Sequence, residues 1–311
     1  MSRRLIRVIG YPVVVVSALA GLYIAADPER RDIDESVRAS VSGRFVRLSD
    51  GYTHYELAGP PEATRVVVLA AGISVPYYIW DPTFAALVQS GFRVLRYDYY
   101  GRGFSDRPNI AYTQDVMVRQ LAELLEALRI TEPIDLAGLS FGGSVVTSFA
   151  DKYPNRVRSL VYVDPAFRSP YPVPTLDRMP ALWDYLTAIF EERWWADAQM
   201  SDFLHPERFP DWPERYSVQI KYRGFRRAQH STIVSNAEID QEPELKRVGK
   251  HPRPVLAFWG KEDNAVPIEF SAQLLEAVPR TRLVSVEAAG HLPYWEQPDA
   301  VHPPWINFLR Q

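Results

Sequence analysis

The residues best suited to chemistry are a serine and the glycines on either side of it. Gly138, Ser140 and Gly142 form a Gly-x-Ser-x-Gly pattern directly after the short apolar run at residues 134–137. A buried strand that turns into a helix through this pattern presents the serine hydroxyl at a sharp, strained corner. Small residues are needed there because the neighbouring backbone comes very close. The pattern therefore predicts a nucleophile elbow with Ser140 as the nucleophile.

A base and an acid follow further along the chain. A serine hydroxyl is a weak nucleophile at its own pKa, so it needs an imidazole to take its proton and a carboxylate to orient that imidazole. Asp263 follows the apolar run at residues 255–259, and His291 follows the run at residues 282–286. Each group thus comes just past the end of a predicted strand. This order predicts a triad of Ser140, Asp263 and His291.

Two further motifs make the pattern more specific. Residues 98–106 read Asp-x-x-Gly-x-Gly-x-Ser-Asp, and residues 290–298 read Gly-His-x-x-x-x-Glu-x-Pro. From about Arg44 to its C-terminus the chain resembles the α/β-hydrolase superfamily, whose members carry a Ser, Asp, His triad in this order. The resemblance implies an α/β fold with a mostly parallel eight-stranded sheet, flanking helices and a helical cap inserted after strand 6. It also implies a serine hydrolase of the esterase or lipase type.

The same resemblance assigns the groups around the nucleophile. Backbone N–H groups of Ile73 and Phe141 are expected to form the oxyanion hole. Many relatives carry His-Gly where this chain has Ala-Gly at residues 71–72, but a hole built from backbone N–H groups does not need that histidine. Asp164 ends the predicted sixth strand, where some relatives place their acid, so it is a rival to Asp263. The Gly-x-x-Asp-x-x-x-Pro context favours Asp263.

Residues 167–236 follow the predicted sixth strand, are rich in aromatic residues and proline, and lack an alternating strand pattern, so helices are expected. The resemblance implies that this segment forms the cap over the active site. Many of these rings should pack in the cap's own core, and others should face the substrate. A cavity lined in this way favours an apolar acyl or alcohol group. His205 and His230 lie in this segment and are candidates for contact with substrate, whereas Glu296 is interpreted as an acid at a helix N-terminus rather than a catalyst.

Three functions remain open. The first is hydrolysis of carboxylic esters, a small-molecule substrate class, through an acyl-enzyme on Ser140. Serine at the elbow argues against the relatives that open epoxides or remove halides, since these use aspartate. The second is hydrolysis of a carbon–carbon bond in ring-fission products, whose acidic substrates call for an arginine such as Arg168, Arg223 or Arg226. The third is a ligand receptor on the same fold.

The N-terminus predicts a targeting segment. Residues 8–26 contain no charged residue and follow three arginines, a pattern typical of a single membrane anchor with the catalytic domain outside the cytoplasm. The alternative is a signal peptide that is cleaved to give a secreted protein. Residues 1–27 are therefore assigned to an anchor or signal and residues 28–42 to a charged linker. Residues 43–166 and 237–311 are the two parts of the hydrolase core.

Composition narrows the chemistry further. The 311 residues carry a net charge of −3 and include no cysteine. Disulfides, thiolate zinc sites and cysteine catalysis are therefore excluded, and the charge gives no indication of a nucleic-acid partner. No His-Glu-x-x-His motif or aspartate-rich calcium loop is present. The sequence predicts no metal and no cofactor.

Overall fold

The computed structural model describes residues 3–168, 173–191 and 194–311. Within these ranges a single sheet has the strand order β1-β2-β4-β3-β5-β6-β7-β8. Strand β2 pairs antiparallel with β1 and β4, and every other pairing is parallel. The predicted eight-stranded, mostly parallel sheet is confirmed. The strands are β1 (Arg44–Leu48), β2 (Gly51–Ala58), β3 (Val66–Ala70), β4 (Arg93–Tyr97), β5 (Ile134–Leu139), β6 (Val157–Val163), β7 (Val255–Gly260) and β8 (Arg282–Val286).

The central strands are covered on both faces. Every residue of β3, β5 and β7 is buried, and these strands are continuous apolar runs apart from Asp135 and glycine. Continuous runs are typical of parallel strands with helices on both sides. Since parallel strands end at the same edge, β5, β7 and β8 bring the three predicted triad segments to one edge of the sheet.

Helices precede and follow the strands along the chain and form the layers on either side of the sheet. They are α1 (Arg3–Ala26), α2 (Glu35–Ser40), α3 (Asp81–Gln89), α4 (Gln114–Ala127), α5 (Phe141–Lys152), α6 (Pro180–Leu186), α7 (Trp195–Ala198), α8 (Trp212–Ile220), α9 (Phe225–Ser235), α10 (Glu242–Lys250), α11 (Ser271–Ala277), α12 (Pro293–Glu296) and α13 (Pro298–Leu309). Helix α5 follows the elbow and packs against α4 and α10. Thr113 is the N-cap of α4, and its side chain accepts a hydrogen bond from the N–H of Val116.

A helical insertion lies between β6 and β7, as predicted. It contains α6 to α9, together with a π-helical turn at Thr187–Glu191 and a 3-10 turn at Gln199–Asp202. Many of its rings are buried against one another, including Phe203 against Trp212. Residues 169–172 and 192–193 of the predicted cap lie outside the described residues.

The prediction of a membrane anchor was wrong. Among the residues that the structure describes, no helix is long and apolar enough to cross a membrane. The predicted placement of the catalytic domain outside the cytoplasm rested on such a span and loses its basis. The C-terminal end of α1 makes polar contacts with the cap: the Tyr23 hydroxyl donates to Asp184 at 2.7 Å, and the Tyr185 hydroxyl donates to the carbonyl of Leu19 at 3.0 Å.

The segment after α1 also contacts the cap. The carboxylate of Glu29 accepts hydrogen bonds from the backbone N–H groups of Gly224 and Arg226, at 2.6 and 2.5 Å, where α9 begins. The guanidinium of Arg226 is buried and donates to Asp184 and Asp27. Part of the predicted charged linker is thus bonded to the helical insertion.

Candidate active site

Ser140 occupies the sharp turn between β5 and α5. Its φ of 53° and ψ of −123° are unusual for a residue with a side chain. Its N–H donates to the carbonyl of Val163 at 3.0 Å, and its carbonyl accepts from the N–H groups of Gly143 and Ala166 at 2.8 and 2.9 Å. Because these three bonds hold the backbone, the strained conformation can persist.

The elbow glycines are required by close backbone contacts. A Cβ added to Gly138 would overlap the carbonyl of Gly142, and one added to Gly142 would overlap the carbonyl of Ala71. The elbow therefore packs directly on the loop after β3. A Cβ on Gly72 in that loop would lie 3.7 Å from the Cβ of Ser140.

Asp263 and His291 form a buried hydrogen-bonded pair. Oδ2 of Asp263 lies 2.7 Å from Nδ1 of His291. The other oxygen, Oδ1, accepts from the N–H groups of Ala265 and Val266 at 2.7 and 2.9 Å, which fixes the carboxylate. Burial disfavours a charged imidazole, but the charge and hydrogen bond of Asp263 outweigh it, so the pKa of His291 lies above its usual value.

Ile73 and Phe141, the predicted oxyanion residues, line one cavity together with Ser140. Among the described residues, neither the N–H of Ile73 nor that of Phe141, the first residue of α5, donates a hydrogen bond to the protein. The Ser140 hydroxyl likewise forms no hydrogen bond within the described part of the chain, including to His291. Such contacts are often loose until substrate binds.

Arg102 supports the loop that carries Ile73, and sequence reasoning missed it. Arg102 is 1% exposed. Nε donates to the carbonyl of Ile73 at 2.7 Å, while Nη2 donates to Gln229 and Thr232 of α9. Burial lowers the pKa of Arg102 to about 10. The only sequence signal was its place between the two glycines of the motif at residues 98–106.

Ser140 lines an apolar cavity of about 360 Å³. Arg168 also lines this cavity, and its side chain is 52% exposed, with Asp240 at 3.4 Å. The other two arginine candidates do not line it: Arg223 pairs with Asp32, and Arg226 is bonded as described above. Most of the remaining lining is apolar, with side chains of Ile73, Phe141, Val173, Pro174, Ile233, Ala237, Ile239, Ala265 and Val266.

The predicted cap histidines do not line this cavity. Nε2 of His230 bonds the carbonyl of Asp177 at 2.6 Å, and the ring of His205 is partly exposed near Glu207. His54 bonds Asp98 at 2.7 Å and lines a separate cavity of about 490 Å³ that does not include the nucleophile.

Asp164, the rival acid, is fully buried next to Asp263. Its Oδ1 accepts from the N–H of Gly260 at 2.9 Å, while Oδ2 has no partner in the described part of the chain. Burial and the neighbouring charge of Asp263 raise the pKa of Asp164 well above its usual range. Three potential ligand atoms, one each from Asp164, Asp263 and His291, lie within 4.8 Å of one another. This spacing would admit a cation. Nδ1 of His291 and Oδ2 of Asp263 are, however, already used in the bond to each other.

Glu296 lies in the first turn of α12, a helix of only four residues, and is buried. Its buried carboxylate accepts from the N–H of Gly290, next to the predicted base, and from the N–H of His205 in the cap. Nothing in the local sequence marked this contact beyond the Gly-His-x-x-x-x-Glu-x-Pro spacing.

The fold agrees with comparisons to known proteins. Residues 67–303 match the model of the Alpha/beta hydrolase family. The chain therefore belongs to the α/β-hydrolase family.

Individual relatives are distant and have different activities. The chain is 30% identical over 213 residues to the 2-hydroxymuconate semialdehyde hydrolase of Pseudomonas sp. (strain CF600), a match to 66% of this chain and 71% of that protein. It is 26% identical over 216 residues to Lipase 3 of Moraxella sp. (strain TA144), covering 66% of this chain and only 65% of the lipase. The crystal structure of the enol-lactonase from Burkholderia xenovorans LB400 superposes with a TM-score of 0.72 at 22% identity, covering 86% of this chain and all (100%) of that one. This structural likeness concerns the fold.

Proposed function

We propose that this hydrolase cleaves carboxylic esters with Ser140 as nucleophile, His291 as base and Asp263 as the acid that orients it. The observation that carries the proposal is the strained Ser140 on the wall of an apolar cavity, beside two backbone N–H groups that have no acceptor among the described residues. Such donors are positioned for the charge that develops on an ester carbonyl oxygen.

The reaction proceeds in two halves. Oγ of Ser140 attacks the carbonyl carbon while Nε2 of His291 takes the hydroxyl proton. The N–H groups of Ile73 and Phe141 bind the resulting oxyanion. The alcohol then leaves with the proton from His291, and an acyl-Ser140 ester remains. Water attacks this ester, His291 accepts a proton from the water, and the acid product departs as the proton returns to Ser140.

The lining of the cavity supports apolar ester substrates. Burial of each methylene group of an acyl chain contributes about 0.8 kcal/mol. A cavity of about 360 Å³ with mainly aliphatic and aromatic walls has room for a short to medium chain.

A second candidate function is hydrolysis of a carbon–carbon bond in an acidic dienoate. The observation that favours it is Arg168 in the same cavity, together with the 30% identity to a 2-hydroxymuconate semialdehyde hydrolase. The mainly apolar lining and the partner Asp240 favour neutral esters instead. Assays with equal panels of p-nitrophenyl esters and vinylogous diketo acids distinguish the two functions. A strong preference for the diketo acids would overturn the ester proposal.

The nucleophile is tested with Ser140→Ala and a matched control, Ser148→Ala, which lies on helix α5 just after the elbow and outside the cavity. We expect Ser140→Ala to lose at least about 10³-fold in turnover of p-nitrophenyl butyrate. Ser148→Ala should stay within about twofold. Fluorophosphonate labelling should stop only in Ser140→Ala. Wild-type turnover in that variant would refute the proposal, and labelling without multiple turnover would indicate a receptor.

A further inference from the structure

The loop that carries His291 is joined to the cap by backbone contacts. The N–H of His291 donates to the carbonyl of Asp202 at 2.8 Å. A Cβ added to Gly290 would lie 2.9 Å from both the carbonyl oxygen of Asp202 and the nitrogen of Leu204. Since these contacts leave no room for a side chain, the cap and the loop touch main chain to main chain next to the proposed base.

One carboxylate connects these two segments. Glu296 is 2% exposed. Its Oε2 accepts from the N–H of Gly290 at 2.7 Å, and its Oε1 accepts from the N–H of His205 in the cap at 2.9 Å. Its own carbonyl accepts from Nη1 of Arg208, another cap residue, at 3.3 Å. Glu296 therefore bonds the base-carrying loop with one oxygen and the cap with the other.

We infer that Glu296 is a positioning residue that couples docking of the cap to the position of His291, an inference that rests on the proposed function. If the cap moved away, His291 would lose the acceptor on its N–H, and Glu296 would keep only one of its two donors. A buried N–H or carboxylate without its partner is costly, so the docked cap and the aligned loop favour each other. Displacement of a catalytic group by about 1 Å can cost about 10²-fold in rate.

The same loop provides a matched control. Oε2 of Glu262 accepts from the N–H of Ala289 at 3.1 Å, one residue before Gly290. Glu262 is exposed, and no hydrogen bond joins its side chain to a described cap residue. Glu262→Gln thus weakens a carboxylate bond to this loop without altering the connection to the cap.

The test compares Glu296→Gln with Glu262→Gln. Glutamine keeps the size of Glu296, but its NH₂ group must face one of the two N–H donors, so one bond is lost. We expect kcat for a p-nitrophenyl ester to fall about 10- to 100-fold in Glu296→Gln, with KM nearly unchanged. Glu262→Gln should stay within about twofold of wild type.

Hydrogen exchange gives a readout that needs no substrate. In Glu296→Gln the amides of Gly290 and His205 should both exchange faster, because both segments lose the common acceptor. If Glu296→Gln does not fold, Arg208→Ala is used instead. It removes the hydrogen bond from exposed Arg208 in the cap to the carbonyl of Glu296, and it should accelerate exchange at the amides of Gly290 and His205.

Unchanged exchange at His205 while Gly290 is altered would overturn the inference, since the two segments would then be independent. An equal loss of kcat in Glu262→Gln would also overturn it. Failure of the proposed function is seen separately, as wild-type turnover in Ser140→Ala, and leaves the exchange result intact.

Discussion

The charge of Asp263 offers the most quantitative test of the triad. Its Oδ2 lies 2.7 Å from Nδ1 of His291. With charge centres about 4 Å apart, carboxylate and imidazolium attract by about 4 kcal/mol at an effective dielectric constant of about 20. Loss of this attraction in Asp263→Asn corresponds to a fall of about 10³-fold in kcat. An amide also favours the wrong tautomer of His291, so the loss can reach about 10⁴-fold.

Asp164→Asn is the matched control, because it makes the same substitution on the neighbouring rival acid. Burial and the charge of Asp263 raise the pKa of Asp164 well above its usual range. Its Oδ1 accepts from the N–H of Gly260, so this substitution leaves the bond between Asp263 and His291 in place. We expect a loss within about tenfold. The assay is kcat and kcat/KM on p-nitrophenyl butyrate, with thermal unfolding to confirm that both variants are folded.

The pH dependence provides a second readout of the same pair. His291 must be neutral to accept a proton, so kcat/KM falls as the pH drops through its pKa, which lies above the usual 6.5. Asp263→Asn removes the charge that raises this pKa, so the acid limb should move to lower pH. Asp164→Asn should leave it in place. If Asp164→Asn costs as much as Asp263→Asn, or moves the limb equally, the assignment of the acid is refuted.

Three further predictions concern the elbow, its supporting loop and the cavity. Gly142→Ala should lower the free energy of unfolding by about 1–3 kcal/mol or more, because the added Cβ overlaps the carbonyl of Ala71. An unchanged Tm would contradict this. Arg102→Gln should lower kcat about tenfold or more with little change in KM, since the carbonyl of Ile73 loses its donor and the oxyanion N–H shifts. A change in KM alone would count against that role. Arg168→Gln should reduce turnover of an acidic dienoate by at least about tenfold more than turnover of a neutral ester. Equal effects on both substrates would show that Arg168 does not recognise a carboxylate.

The sheet could be predicted from sequence because its strands carry strong local signals. Continuous apolar runs indicate the buried parallel strands. Polar residues that follow the carboxyl ends of these strands must meet at the same edge of the sheet. The pairing of Asp263 with His291 agrees with this reasoning, since each follows the end of a strand. The elbow glycines were also readable, because a turn this tight allows no side chain at either position.

The supports of the site could not be predicted, since they join segments that are distant in sequence. Glu296 reaches His205 across 91 positions, and Arg102 reaches Gln229 across 127. No local pattern encodes such partners. The apolar N-terminal run was interpreted from its lack of charge and from the three arginines before it, and neither feature shows that Tyr23 bonds Asp184 in the cap.

The contacts of Arg226 have a practical consequence for anyone who shortens this chain. The side chain of Arg226 is 3% exposed, and two of its partners, Tyr23 and Asp27, precede the predicted hydrolase core. Glu29, which binds the first N–H groups of α9, would be lost with them. A recombinant protein that starts at residue 43 would leave a buried cation with fewer counter-charges and a helix start without its acceptor. We therefore expect such a shortened protein to have a loosened cap and a lower yield of folded protein, although every residue of the proposed triad would remain.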